Sequence, residues 1–225
     1  MRIGLIAVDG HGGFPNLALM RISTWHKRQG DHVEWWNSFT HYDCVYLSKI
    51  FTFTPDFDTV IHADEVITGG TGYKDYGFLP PEVEACPPDY TLYPNWGSAV
   101  GFLTRGCVRN CEWCLVPRKE GLISPAAAWT DIKRPDSRRI VFLDNNVLAS
   151  DHGLEQIERM GREPVWVDFN QGLDVRFITP DIARLLARLH WIRFSHLFSF
   201  QFFGAHEWHI QCIKNKEQQT TLNKC

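Results

Sequence analysis

No stretch of this 225-residue chain keeps an apolar run near the roughly 20 residues that a membrane span requires. The amino terminus lacks a secretory pattern. Met1 to Val8 is short and apolar and stops at Asp9-Gly10-His11-Gly12-Gly13, with no small-residue cleavage site. A basic surplus is missing too. Lys and Arg number 23 against 26 Asp and Glu, a net charge of −3, which argues against a general nucleic-acid binder. There is no internal repeat and no long low-complexity segment. Together these absences give the expectation of a cytoplasmic globular protein whose thiols stay reduced. A chain of this length buries about 70 % of its unfolded surface, enough for a core without disulfide staples. Seven cysteines in such a compartment point to metal or catalytic use.

What is present alternates between strand-like and helix-like stretches. Residues 2–8 read as a strand. Ala18, Ile22 and Trp25 fall on one helix face, with Lys27 and Arg28 in its last turn and Gly30 just beyond. Further strands are expected around Val33 and Trp35, over Cys44 to Leu47 and over Glu65 to Thr68, the last running into Gly69-Gly70-Thr71-Gly72. Residues 77–97 are rich in Pro and Tyr, lack a period and read as a linker. After them Ala99 to Thr104 is apolar, Ser124-Pro125 reads as a helix start, and Ile140 to Leu143 as a strand. Ser150 caps a helix with Leu154, Ile157 and Met160 on its apolar side. Val165 to Phe169 is a strand, Thr179-Pro180 opens a helix carrying Ile182, Leu185, Leu186 and Leu189, and Ile192 to Phe194 starts a fourth strand. Such βαβ order implies a parallel sheet or barrel with its chemistry at the carboxyl ends of the strands.

Cys107, Cys111 and Cys114 are spaced C-x3-C-x2-C directly after a strand and a glycine. Structural zinc wants four tetrahedral ligands, yet no second knuckle exists and no His lies between His62 and His152. Only Cys86 could then complete a zinc site. An iron–sulfur cluster is held by thiolates, and three local cysteines leave one iron of a four-iron cluster open to a chelating substrate.

The segment Gly101 to Cys114, with Trp113 before the last cysteine, resembles the radical SAM (S-adenosylmethionine) signature C-x3-C-x-aromatic-C, and the resemblance extends along roughly residues 1–196. It implies a [4Fe–4S] cluster on Cys107, Cys111 and Cys114, with SAM chelating the open iron and Trp113 near the adenine. It also implies one-electron cleavage of SAM to a 5′-deoxyadenosyl radical, with electrons from a donor such as a flavodoxin or ferredoxin and an unknown substrate. Asp144 and Asn146, at the end of the next strand, match the position that receives the SAM amino group; an ordinary Asp/Asn turn is the alternative. Asn170, Asp174 and Arg176, at the third strand end, match polar contacts to SAM, against the alternative of a surface Asp174–Arg176 pair. Arg105, Arg109, Arg118 and Lys119 flank the cysteine loop, where cations favour an anionic cluster or substrate, or simply face solvent.

The amino-terminal part is similar to the cobalamin-binding-like domain that precedes many radical SAM barrels. Asp9-Gly10-His11-Gly12-Gly13 and the Gly69 to Gly72 turn carry that likeness. The family's D-x-H-x-x-G pattern has Phe14 at its final glycine, which argues against cobalamin on His11. The expected fold is therefore α/β: a Rossmann-like parallel-sheet domain over 1–76, a linker over 77–97, and an incomplete (βα) barrel of radical SAM type over 98–196. Residues 197–225 are expected to be a divergent, disordered tail. A barrel of about three and a half units leaves a strand edge uncovered, as expected of a truncated or frameshifted product. A non-enzymatic zinc or iron–sulfur protein, and an inactive remnant, are the competing readings.

Overall fold

The structure is a computed structural model that describes residues 1–10 and 13–192. The chain divides into two compact units, Met1–Gly97 and Ser98 onward. The Ile192 to Phe194 strand start lies partly, and the 197–225 tail wholly, outside the described residues. Among those described, no helix is long and apolar enough to cross a membrane.

The first unit runs β1 (Arg2–Ala7), α1 (Leu17–Arg28), β2 (His32–Trp35), β3 (Tyr42–Ser48), β4 (Ala63–Gly69) and α2 (Pro81–Glu84). Its strands form one parallel sheet in the order β2-β1-β3-β4. Strand β1 is apolar along its length because both of its faces are covered. Ile3 and Leu5 pack with Cys44 against Leu19, Met20 and Ile22 of α1. On the opposite face Ile6, Tyr42, Val45 and Leu47 meet Trp36, Phe57, Ile61 and Tyr73. Loop aromatics thus do there what a helix usually does in a doubly wound sheet.

Asn16 caps α1 by accepting from the Leu19 amide at 3.2 Å, and its own amide donates to Ser48 Oγ at 2.8 Å. The helix buries Leu19, Met20, Ile22, Ser23 and His26, whereas Ala18 and Trp25 are only half-buried. The expected face is therefore turned by about one residue. A small Ala carries little directional information, and His26 reads as polar in sequence. Its ring is nonetheless satisfied inside, with Nδ1 2.7 Å from Asp31 and Nε2 3.0 Å from the Tyr46 hydroxyl.

The segment 77–97, expected as a linker, is packed into this unit. Val83, Leu92 and Tyr93 are buried in its core. Trp35 Nε1 donates to the Leu92 carbonyl at 3.2 Å, and the Tyr93 hydroxyl accepts from the Asn16 amide at 3.0 Å. Individual anchors of this kind have no sequence period. Asp89 is the strongest of them: it accepts from Ser23 Oγ and Lys27 Nζ at 2.6 Å each and from the Thr91 amide at 3.0 Å. The turn Gly69 to Gly72 is explained by its neighbour Lys49. A Cβ on Gly70, whose φ is +99°, would sit 2.5 Å from the Lys49 carbonyl oxygen, and one on Gly72 would sit 2.3 Å from Lys49 Cγ.

The second unit runs β5 (Ala99–Gly101), β6 (Thr104–Arg105), α3 (Val116–Lys119), β7 (Ser124–Pro125), α4 (Trp129–Ile132), β8 (Arg139–Phe142), α5 (Asp151–Met160), β9 (Trp166–Phe169), α6 (Pro180–Leu186) and β10 (His190–Trp191). Its main sheet is parallel in the order β10-β9-β8-β5. Ile140 pairs with Val167 and Phe142 with Phe169, and this face packs on Ile157, Met160 and Leu186 of the helices. Ser150 and Thr179 cap α5 and α6 as their positions imply. One expectation fails. Ser124-Pro125 starts no helix; it pairs antiparallel with Thr104-Arg105. The Ala126 amide is held by the Leu103 carbonyl at 2.8 Å, which keeps the chain extended until Trp129. A fourth strand forms at His190–Trp191, immediately before Ile192, whose amide still bonds the Val167 carbonyl at 2.9 Å.

Removing the Asp89 carboxylate in Asp89→Ala leaves Ser23 and the Thr91 amide without their acceptor. We expect a loss of about 1–3 kcal/mol at neutral pH, read as a lower urea midpoint by circular dichroism. Burial would raise the Asp89 carboxyl, but Lys27, Ser23 and Thr91 hold it below the ordinary carboxylate range. Its contribution is thus lost as pH falls through that lowered value, so wild type and variant converge in acid.

Candidate metal and cofactor site

Because β5, β8 and β9 are parallel, the segments that follow them leave the same edge of the sheet. The first carries Cys107, Cys111 and Cys114, the second Asp144 to Asn146, and the third Asn170 to Arg176. Ligand sites of open parallel sheets lie at this edge.

The cysteine loop is closed at its base. Arg105 in β6 pairs with Ser124 in β7, and the Cys107 amide donates to the Gly121 carbonyl at 3.2 Å. Gly106 sits there with φ +81°, and a Cβ on it would lie 2.4 Å from the Leu122 carbonyl oxygen. Only glycine fits this crossing. Glu120, its side chain 7 % exposed, gathers three donors: the Gly106 amide at 2.9 Å, Asn145 Nδ2 at 3.0 Å and the Arg105 guanidinium at 3.2 Å. Sequence reasoning missed Glu120, whose role depends on partners 14 and 25 residues away.

Within the loop all three cysteines are free and half-buried. The Arg109 amide faces Cys107 Sγ at 3.3 Å, and the Cys114 amide donates to the Cys111 carbonyl at 3.0 Å. Among the described residues no three His, Cys, Asp or Glu side chains are gathered closely enough to hold a metal ion. The donor set itself, three soft thiols on one short loop in a partly exposed setting, suits an iron–sulfur cluster. Trp113 projects outward, 69 % exposed. Cys86 lies elsewhere in the chain, buried in the first unit with its thiol donating to the Glu82 carbonyl at 3.3 Å.

Asp144 lies just after the end of β8. It is 2 % exposed, and both oxygens are engaged. Oδ2 accepts from the Leu103 amide at 3.1 Å, and Oδ1 accepts from the Thr104 amide at 2.5 Å and the Thr104 hydroxyl at 2.7 Å. As placed, it anchors the entry to the cysteine loop. Asn146 is 3 % exposed, with Nδ2 3.5 Å from Cys107 Sγ and 3.3 Å from Asp174 Oδ2. Asn170 is half-buried at the end of β9, its amide donating to the Phe142 carbonyl.

Asp174 and Arg176 form a fork-to-fork pair, with Nε to Oδ1 at 2.7 Å and a terminal nitrogen to Oδ2 at 2.8 Å. The Asp174 side chain is 10 % exposed and that of Arg176 56 %, so the pair is buried on its acidic side and solvated on its basic one. Desolvation would raise its carboxyl, but Arg176 and then Arg109, whose Nε is 3.6 Å away, hold it below the usual carboxylate range. The Arg176 guanidinium is held charged chiefly by Asp174, whose Oδ2 also takes the side-chain nitrogen of Asn146 at 3.3 Å. Arg109, within the cysteine loop, brings a second cation to the same carboxylate. Arg109 also stacks over the Phe177 ring, 5.0 Å from its centre. Asp168, 3 % exposed in the middle of β9, is paired in register with Val141, on the sheet face away from the helices. A carboxylate inside an apolar strand is a signal that the sequence reading passed over.

No protein-family profile matches this chain, and no curated protein is significantly similar to it. Among solved structures the chain is similar to the radical S-adenosylmethionine methyltransferase TsrM from Kitasatospora setae, whose structure has cobalamin and a [4Fe–4S] cluster bound. The TM-score is 0.50 at 12 % identity, over 84 % of this chain and 57 % of that one. The chain thus spans little more than half the length of that enzyme. At this identity the likeness shows the fold: a mixed α/β arrangement with parallel sheets shared with a radical SAM enzyme.

Burial, partly offset by the Thr104 and Leu103 donors, pushes the Asp144 carboxyl up to about 6. A raised carboxyl favours the folded state below its unfolded value near 3.9 and loses that advantage as pH rises through about 6. We expect the stability of the wild type to fall between roughly pH 4 and pH 6, and Asp144→Asn to flatten this slope. Urea unfolding across that range checks it.

Proposed function

We propose that the second unit is a radical SAM-type iron–sulfur module. Cys107, Cys111 and Cys114 hold a [4Fe–4S] cluster whose open iron takes S-adenosylmethionine. The observation that carries this is the C-x3-C-x2-C loop standing at the carboxyl edge of a parallel sheet, with Asn146 meeting Cys107 and Asp174 meeting Arg109 from two neighbouring strand ends. The fold likeness to a radical SAM methyltransferase supports the same reading.

When bound, the cluster and SAM supply one-electron cleavage of the sulfonium, with electrons from a flavodoxin- or ferredoxin-type donor. The chain's own residues bind and orient. Arg176 and Arg109 hold the Asp174 carboxylate, Trp113 supplies an aromatic face for the adenine, and Asn146, Asn170 and Asp174 supply polar contacts for SAM. Asp144 holds the loop entry from within. Cobalamin is left outside the proposal because Phe14 replaces the last glycine of the motif; His11 lies outside the described residues. Substrate is assigned no identity.

Anaerobic reconstitution is expected to load about four iron and four sulfide per chain and turn the protein brown. Cys111→Ala should lose most of that iron. Reduction with dithionite in the presence of SAM should release 5′-deoxyadenosine, detected by chromatography. One tightly held zinc per chain, or iron uptake indifferent to the cysteines, overturns the assignment. A loaded cluster with no 5′-deoxyadenosine identifies a binding protein without the activity.

A further inference from the structure

Asn146 stands at the position that opens the single helical turn Val147–Ala149, where an asparagine usually caps. Its side chain makes no capping bond there. Instead the amide nitrogen is spent on two acceptors, Cys107 Sγ at 3.5 Å and Asp174 Oδ2 at 3.3 Å. The residue is 3 % exposed, and its carbonyl oxygen is buried without a hydrogen-bond partner. Exchanging the two ends of the amide would turn the carbonyl toward the Asp174 carboxylate, which only accepts, so the amide keeps its nitrogen on that side. The direction of the amide is therefore set by its neighbours. Capping is given up and a carbonyl left unpaired in order to aim an N–H at one particular cysteine.

From this we infer that Asn146 is a positioning residue for Cys107. Its amide donates to the sulfur, fixes that ligand in place from inside the fold and stabilises negative charge on it. The inference rests on the cluster assignment made above. Asp174 completes the device by holding the second proton of the amide, and Arg176 and Arg109 hold Asp174. Cys107 is thereby the ligand tied to the segment after β8, whereas no bond from the segments after β8 and β9 to Cys111 or Cys114 is seen among the described residues. Hydrogen bonds to cluster sulfurs raise the reduction potential because the reduced form carries more negative charge.

The test is a redox titration of the reconstituted protein and of Asn146→Leu, which keeps the volume and removes the donor. The variant is expected to load iron, but its midpoint should move to more negative potential. At a fixed potential the reduced fraction then falls about threefold to tenfold, tenfold being 59 mV for one electron. An iron-loaded variant with the wild-type midpoint overturns the role of Asn146 and leaves the cluster assignment standing. A wild type that takes up no iron overturns both. Should Asn146→Leu fail to fold, the Asn146 side-chain amide signal in nitrogen-15 spectra of the metal-free chain decides. It should shift in Cys107→Ser and stay in place in Cys114→Ser, and equal response to both, or to neither, overturns the inference.

Discussion

The carboxylate of Asp144, buried at the end of β8, ties that strand to the Leu103–Thr104 backbone. Those two residues lead, through Arg105 and Gly106, into the cysteine loop. Taking a carboxyl out of water is costly unless its oxygens are used, and here three donors use them. The loop therefore starts from a fixed point relative to the sheet. Its other end is fixed by Glu120 and by the approach of Gly106 to Leu122, so a segment rich in exposed residues has two anchored ends.

Between these anchors the loop is built in two regimes. Cys107 lies at the base, bonded to the Gly121 carbonyl through its amide and faced by Asn146. Trp113 lies well out in solvent. A binding loop needs such a division: enough attachment to direct its ligands toward one edge of the sheet, and enough freedom to close around what it binds. The guanidinium groups of Arg109 and Arg176 share the Asp174 carboxylate, which ties the cysteine loop to the segment after β9.

How far the chain could be read without its fold depends on whether the signal was local. Caps at Ser150 and Thr179 were legible because a cap binds its own next turn. The apolar runs that became β1, β3, β8 and β9 were legible because buried parallel strands are apolar throughout. The Ser124-Pro125 pair misled, since its strand partner lies some twenty residues upstream. Residues 77–97 looked like a tether because their anchors, Asp89 on Ser23 and Lys27, the Leu92 carbonyl on Trp35 and Tyr93 on Asn16, are all long-range and follow no period. Asp144 and Asn146, two residues apart and chemically similar, were indistinguishable in sequence, yet one faces the backbone of the loop and the other its sulfur.

Sequence by itself determined the alternation of strands and helices and the trio of cysteines behind a glycine. Periodicity, caps and ligand spacing are properties of neighbouring residues. Tertiary structure alone decided the strand orders β2-β1-β3-β4 and β10-β9-β8-β5, the burial of Asp144, the recruitment of Glu120 and the aim of the Asn146 amide. Each of these is a choice among distant partners, settled by which buried polar groups could be satisfied together once the sheets had formed.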